Sequence, residues 1–456
     1  MEQKRYLKWY HKIGYGSGDV AGNVVYALLT SFVMFYLTDT IGLSMGIVGT
    51  LMAVSKIFDG VSDIFFGRLI DKTHSKMGKA RPWMLWPYIG CAITLVACFS
   101  IPEGWGEVAQ YIFFFIAYTL LNAVFFTANN IAYASLTALI TKNTNERVQL
   151  GSFRFIFAFG TSMLIQYITV KAVEWCGGGS QGWRIVALIY AIIGLVVNTI
   201  SVLSVKELPS DDENENKKDG NKLTFVKSLK LLLKNKYYVI ICITYIFTQI
   251  YASVIGMGIY YMKYILGNED LFSDFALAIN IPMVVALMIL PIVIKKLRGM
   301  YKLNIWGYVI AVIGRIGVLV SAYLGSVPFM LVFTAIATLG IVPLQGDLNA
   351  LIACCSEHTT LKSGHRLDGM MYSCSSLGIK IGGALGTAIC GWLLDAAGYI
   401  EKAEIQTAAT LDMLRFLYLW APIIICGIVL FLLTLLKVEK SNAEIKNKTA
   451  IIIENE

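Results

Sequence analysis

The chain has 456 residues, 57% of them apolar and only 15% charged. An ordinary soluble domain is about 25% charged, so most of this chain does not face water. A net charge of +8 would suit a nucleic-acid binder only if the basic residues shared one surface, and here they recur in short segments between apolar runs. The nine cysteines show no paired Cys-x-x-Cys spacing and most fall inside apolar runs, which excludes a disulfide frame and a zinc site.

Twelve apolar runs follow one another, each long enough for a helix to cross roughly 30 Å of hydrocarbon. They lie at 14–38, 44–70, 82–101, 108–139, 150–174, 183–205, 237–265, 273–295, 303–323, 327–355, 369–397 and 411–436. The basic N-terminus MEQKRYLKWYHK leads into the first run without a small-residue cleavage site, so that run is itself a span and no signal peptide is removed. Lys171, Arg184, Lys263, Lys402 and Arg415 are the basic residues in the outer loops and at the run ends beside them, and most of the others occupy the alternate segments. That asymmetry puts both termini in the cytoplasm. The chain then reads as an all-α polytopic membrane protein of 12 transmembrane helices: a six-helix half over 1–205, a cytoplasmic linker over 206–236, a second half over 237–437 and a cytoplasmic tail over 438–456. Within the linker, Asp211 to Gly220 is too charged to pack. Phe225 to Leu233 reads either as an amphipathic helix against the inner face or as an extension of span seven.

Ionisable side chains at membrane depth cost about 2.5 to 3.5 kcal/mol each, so each needs a reason. The set comprises Asp19 in span one, Lys56, Asp59, Asp63 and Arg68 in span two, Arg154 in span five, Arg315 in span nine, Asp347 in span ten and Lys380 in span eleven. Asp59 and Asp63 are spaced i, i+4, which sets two carboxylates on one helix face about 6 Å apart along the axis. Two anions that close take up a proton or hold a cation, and Ser62 adds a neutral oxygen beside them. The plainer reading is that they neutralise Lys56 or Arg68; two acids on one turn exceed what that needs. Lys380 has no acid on its own helix face, so its partner comes from another helix, or else it snorkels to an interface. Arg315 and Lys56 fit packing or snorkelling roles. His11, His74, His358 and His365 all fall in tails or inner loops, which argues against a histidine relay across the membrane.

The inner loop after span two holds Gly67, Arg68, Asp71, Gly78, Lys79, Arg81 and Pro82. It reads as a conformational latch that pairs with helix ends in one state, or as ordinary positive-inside decoration.

Asp59-x-x-x-Asp63, Gly67-x-x-x-Asp71 and Gly78-x-x-Arg81-Pro82 resemble the signature of the glycoside-pentoside-hexuronide:cation symporters. Gly18-Asp19 with Asn23, Asn130-Ile131-x-Tyr133-x-Ser135-Leu136, Arg366-x-x-Gly369-x-x-Tyr372-Ser373 before Lys380, and Tyr260-Tyr261-x-x-Tyr264-x-Leu266-Gly267-Asn268 extend the resemblance in family order. It implies the major-facilitator fold and cation (Na+ or H+):sugar symport by alternating access. It also implies a coupling-cation site at Asp59, Asp63, Ser62 and Thr127, the metal then being Na+ on Asp59 and Asp63, and a sugar site at Asp19, Asn130, Tyr133, Arg154 and Lys380. Tyr26 and Phe126 are further platforms for a sugar ring. The implied partners are a sugar, a monovalent cation and the bilayer, with no nucleic acid, no cofactor beyond the coupling ion, a monomeric state and a place in the bacterial inner membrane.

Three departures limit the carry-over. Melibiose permease has an acid where this chain has Asn130, its span-four Pro and Trp are here Ala132 and Ala134, and an acidic stretch before the loop between spans ten and eleven is reduced to Glu357. The competing readings are a lipid or lysolipid carrier of the same fold, which would lose the polar cavity set, and a membrane sensor, which would need an output domain. No nucleophile or metal set supports an enzyme.

Overall fold

The computed structural model describes residues 5–141, 143–208, 225–297, 300–363 and 368–455. All regular structure among them is helical. The first half contains α1 (Trp9–Gly16), α2 (Gly18–Phe35), α3 (Met45–Asp71), α4 (Arg81–Cys98), α5 (Glu107–Thr119), α6 (Thr127–Leu139), α7 (Thr144–Trp175) and α8 (Gly179–Ser204). Then follow α9 (Phe225–Lys234), α10 (Lys236–Gly256), α11 (Gly258–Tyr264), α12 (Leu271–Leu297), α13 (Tyr301–Tyr323), α14 (Val327–Ser363), α15 (Asp368–Ala396), α16 (Ala408–Arg415), α17 (Ala421–Leu435) and α18 (Val438–Asn455). Short π-helical stretches at Tyr36–Ile41, Leu120–Phe126 and Phe416–Trp420 continue α2, lead from α5 into α6 and join α16 to α17.

Among the described residues, eleven helical stretches are long and apolar enough to cross a membrane. The expected third span is the 18-residue α4, whose first turns carry Arg81, Pro82, Trp83, Trp86 and Pro87 and so dilute its apolar character. Their surfaces suit lipid: Leu188, Ile192, Val196, Ile200 and Leu203 form an exposed stripe along α8, and Trp306, Ile310, Ile313 and Val320 form one along α13. Such stripes would drive aggregation in water and are at rest against acyl chains. The protein is a multi-pass membrane protein.

The chain forms two compact units. Unit 1 comprises Met1–Asp211, Gly256–Ala276 and Thr387–Leu414, and unit 2 comprises Asp212–Ile255, Leu277–Gly386 and Arg415–Glu456. In unit 1 one end of the helices closes around Tyr15, Ile70, Met84, Tyr133, Leu136 and Val202. Its α4 begins under a cap: the Glu207 carboxylate accepts from the backbone N–H of Lys79, Ala80 and Arg81 at 2.7, 2.9 and 2.9 Å. Gly78, at φ +110°, leaves room for that carboxylate, which a Cβ would overlap.

Unit 2 is built on an α13–α14 hairpin packed backbone to backbone. A Cβ on Gly340 would sit 2.4 Å from the Ala311 nitrogen and 2.5 Å from the Gly307 oxygen, so only glycine permits this approach. The start of α13 is capped by Glu439, which accepts from the N–H of Met300 at 3.1 Å and of Tyr301 at 3.0 Å. Helix α14 runs on to Ser363, past the expected end of span ten, so His358 lies on a helix and is buried against Asn442 of α18 at 2.8 Å. Phe225 to Leu233, open between an amphipathic helix and an extension of span seven, belongs to a helix of its own, α9, which ends at Lys234 before α10 starts at Lys236, whereas the charged run Asp211 to Gly220 lies outside the described residues.

Candidate polar site of unit 1

Tyr15 starts the construction. Its buried hydroxyl donates to the Tyr133 carbonyl at 2.8 Å, and the Tyr133 hydroxyl returns a bond to the Tyr15 carbonyl at 2.8 Å, tying α1 to α6. Gly18 leaves space for the Tyr133 ring, which a Cβ would meet at 2.9 Å. With α2 so placed, Asp19 reaches both neighbours: Arg154 Nε of α7 donates to its Oδ2 at 2.7 Å, and Tyr133 OH lies 3.0 Å from the same oxygen. Arg154 Nη2 is 3.4 Å from Oδ1, and the guanidinium lies over the Tyr133 ring at 4.1 Å from its centroid. This stacked, bidentate contact fixes the carboxylate and leaves both charged side chains partly accessible, 24% for Arg154 and 14% for Asp19. Asn23 donates to the Asp19 carbonyl at 2.8 Å and accepts from Ser162 at 3.1 Å, adding a second amide–hydroxyl pair one turn along.

Three of the five sequence-predicted sugar ligands, Asp19, Tyr133 and Arg154, thus meet in one cluster. Asn130 lies on α6 one turn before Tyr133 and is exposed, as is Tyr26 on α2. Lys380 belongs to unit 2, half-buried on α15. Tyr15 and Ser162 were not expected from the sequence; the i, i+4 spacing of Tyr15 to Asp19 was the available signal.

The predicted cation ligands meet in part. Thr127, at the first turn of α6 and buried, donates its hydroxyl to Asp59 Oδ1 of α3. Thr127 Oγ1 also lies 2.8 Å from the Asn122 carbonyl, inside the π-helical stretch that delivers it. Ser62 turns its proton onto the Asp59 carbonyl at 3.0 Å, so towards the carboxylates it offers lone pairs only. Asp63 follows one turn after Asp59 and is half-buried. Lys56 Nζ donates to Thr387 Oγ1 at 3.0 Å, a defined bond where the sequence reading had packing or snorkelling. Among the described residues no three His, Cys, Asp or Glu side chains gather around one point. A cation here would be held by two carboxylates and neutral hydroxyl oxygens, a donor set that suits a hard monovalent ion or a proton and does not suit a transition metal.

Of the latch residues, Arg81 Nε donates to the Val202 carbonyl at 3.1 Å and Nη1 to the Met77 carbonyl at 3.3 Å, joining the inner loop to the end of α8. A Cβ on Gly67 would meet nothing within 4 Å. The Asp71 side chain and the Arg366 motif lie outside the described residues.

A second polar cluster in unit 1, unforeseen in the sequence, centres on Asp39, whose side chain is 2% exposed. It accepts from Lys263 Nζ at 2.6 Å, from Tyr264 OH at 2.9 Å and from Tyr399 OH, beside a cavity of about 150 Å³ also lined by Phe35, Trp183 and Glu269. Each of these partners lies more than 200 residues from Asp39 in the chain, so spacing rules do not find them.

Residues 14–440 match the family model described as MFS/sugar transport protein. The isoprimeverose transporter of Lactiplantibacillus pentosus is 29% identical over 442 residues, covering 96% of this chain and 90% of that one. A putative glycoside/cation symporter, YagG, of Escherichia coli (strain K12) is 27% identical, covering 95% and 93%. A solved bacterial homologue of the human lysosomal transporter Spinster superposes with a TM-score of 0.74 at 14% identity, over 96% of this chain and 99% of that chain, and so shares its fold. The polar cluster among apolar spans therefore sits in a membrane transporter, and the chain belongs to the MFS/sugar transport family.

Proposed function

We propose that this chain is a cation:sugar symporter of the bacterial inner membrane, with both termini cytoplasmic, acting as a monomer and needing no cofactor beyond the coupling ion. The observation that carries the reading is the Asp19–Arg154 pair: a carboxylate and a guanidinium, both partly accessible, held in place by the hydroxyl and ring of the buried Tyr133. A carboxylate accepts from two adjacent sugar hydroxyls, and a guanidinium donates to ring and glycosidic oxygens. Because Asp19 already neutralises Arg154, the site favours a neutral glycoside or pentoside over a hexuronide. The names of the isoprimeverose transporter and the glycoside/cation symporter support that choice.

Asp59, Asp63, Ser62 and Thr127 are the proposed seat of the coupling ion, Na+ or H+. Gly67, Asp71 and Arg81 are the proposed latch. The role of Lys380 as a sugar ligand rests on the family resemblance alone.

The test is uptake into proteoliposomes of isoprimeverose and of labelled galactosides, pentosides and glucuronides, under an imposed Na+ gradient, an H+ gradient and neither. Accumulation of a neutral glycoside under one gradient supports the reading and names the ion. Accumulation of none of them moves the assignment to a lipid carrier or a sensor.

A further inference from the structure

Asn304 on α13 and Asp347 on α14 face each other in the interior of unit 2, each 2% exposed. Asn304 Nδ2 donates to Asp347 Oδ2 at 2.8 Å. The two remaining oxygens of the pair, Asn304 Oδ1 and Asp347 Oδ1, are both fully buried and have no hydrogen-bond partner among the described residues. Each orphan of this kind costs on the order of 1 to 3 kcal/mol, and more for a charged group, so two in one pair call for a shared donor.

The chemistry of the pair says what that donor is. A primary amide and a carboxyl form a ring of two hydrogen bonds, N–H to oxygen one way and O–H to oxygen the other, when the carboxyl carries a proton. The first of these bonds is in place, and the two orphans are the acceptor and the missing donor of the second. Exchanging the nitrogen and oxygen of Asn304 would set oxygen against Oδ2 and again require a proton on the carboxyl. We propose that Asp347 is a proton-binding site, its Oδ1 carrying a proton that it donates to Asn304 Oδ1.

The surroundings agree. The titratable groups that face Asp347 among the described residues are Tyr308 on α13, Glu439 on α18 and Cys354 on its own helix. None is a cation, and Glu439 is an anion already engaged in capping α13. From α12, Leu287 and Leu290 pack against Gly346 and bring no charge. An ionised Asp347 would face a neutral amide on one oxygen and nothing on the other, in a helical hairpin too close-packed at Gly307 and Gly340 to admit side-chain rearrangement. The site lies in unit 2, whereas the carboxylates of α3 lie in unit 1. It is therefore a second ion-binding group, and it stands whether or not the substrate is a sugar.

The experiment is infrared difference spectroscopy of the full-length protein in lipid as pH is raised, following the carbonyl stretch of a protonated carboxyl. The wild type should show such a band that bleaches on deprotonation and that is missing in Asp347→Asn, which keeps a two-bond amide–amide ring and so its fold. Asn304→Leu, which leaves the carboxyl without its partner, should move the band to the frequency of an unbonded acid. Spectra of the wild type and Asp347→Asn that match across the pH range, or a band that Asn304→Leu leaves unmoved, would overturn the proposal.

Discussion

Each unit caps a helix start with a distant carboxylate, and from there the two diverge. In unit 1 Glu207, just after α8, caps the start of α4; in unit 2 Glu439, in the first turn of α18, caps the start of α13. One turn inside the caps the two differ. In unit 1, Asn129 and Asn198 both donate to the Met84 carbonyl, at 2.5 and 2.9 Å, and Asn129 also reaches Asn198 Oδ1 at 3.1 Å, a neutral network without ionisable members. In unit 2, the polar position three residues into α13 is Asn304, and its partner is a carboxyl with one bare oxygen. The capping device repeats while the ionisable chemistry does not: unit 1 carries Asp19 on α2, Asp59 and Asp63 on α3 and Asp39 after α2, and unit 2 keeps Asp347 within its close-packed hairpin.

The largest effect is expected at the unit 1 cluster. Arg154→Gln removes a charge-assisted bond worth about 1.5 to 3 kcal/mol and leaves Asp19 without its cation, so sugar uptake at low concentration should fall by roughly 10- to 100-fold. Arg154→Lys should restore only part, because a point charge does not reproduce the stacked fork over Tyr133. Wild-type uptake kinetics in Arg154→Gln would remove this cluster from the sugar site.

Next comes packing, where the two units should part. Gly340→Ala drives a methyl into the backbone of α13 and should destabilise unit 2 by about 1 to 3 kcal/mol, whereas Gly67→Ala in α3 meets open space and should be neutral or slightly stabilising. Thermal unfolding of the two variants in detergent separates them. Equal melting temperatures would mean that the α13–α14 approach is looser than described.

The caps should behave alike. Glu207→Ala and Glu439→Ala each strip a carboxylate from a helix start and should cost about 0.5 to 2 kcal/mol. A loss confined to one of them would break the equivalence of the two caps.

The smallest effect concerns pH. His358, beyond the apolar part of α14, is buried, and burial pushes its pKa below the usual histidine value; the contact with Asn442 opposes this, and Lys362 and Lys236 reinforce it. A folded-state value below the unfolded one means the stabilisation is present above the unfolded value and lost as pH falls through the folded one. Melting curves should thus drop between about pH 6.5 and the folded value, and His358→Gln should flatten that drop. An unchanged slope in His358→Gln would show that the docking of α18 on α14 does not depend on neutral His358.

Much of this was legible in the sequence because the bilayer imposes one-dimensional rules. Span length, charge asymmetry and the cost of buried charge picked out Asp19, Asp59, Asp63 and Arg154 without a structure. Thr127 and Tyr133 came through the family resemblance, and their bonds to Asp59 and Asp19 accord with it. What escaped depends on contacts across the chain. Glu207 and Glu439 sit in polar segments where a capping acid looks like any other, and Asp39 lies at a span end where an acid seems free to face water. Asp347 was noted as an ionisable group in span ten, but its role needs the register of α13 against α14, which places Asn304 opposite it. His358 was read as a loop residue because apolar character ends before the helix does.

The central claim is that the α3 carboxylates couple ion to sugar, and the most direct measurement compares wild type with Asp59→Asn in proteoliposomes, following both sugar exchange and accumulation under the productive cation gradient. The account predicts that the variant still exchanges sugar across the membrane but no longer concentrates it. Full accumulation in Asp59→Asn would contradict the assignment of the coupling site.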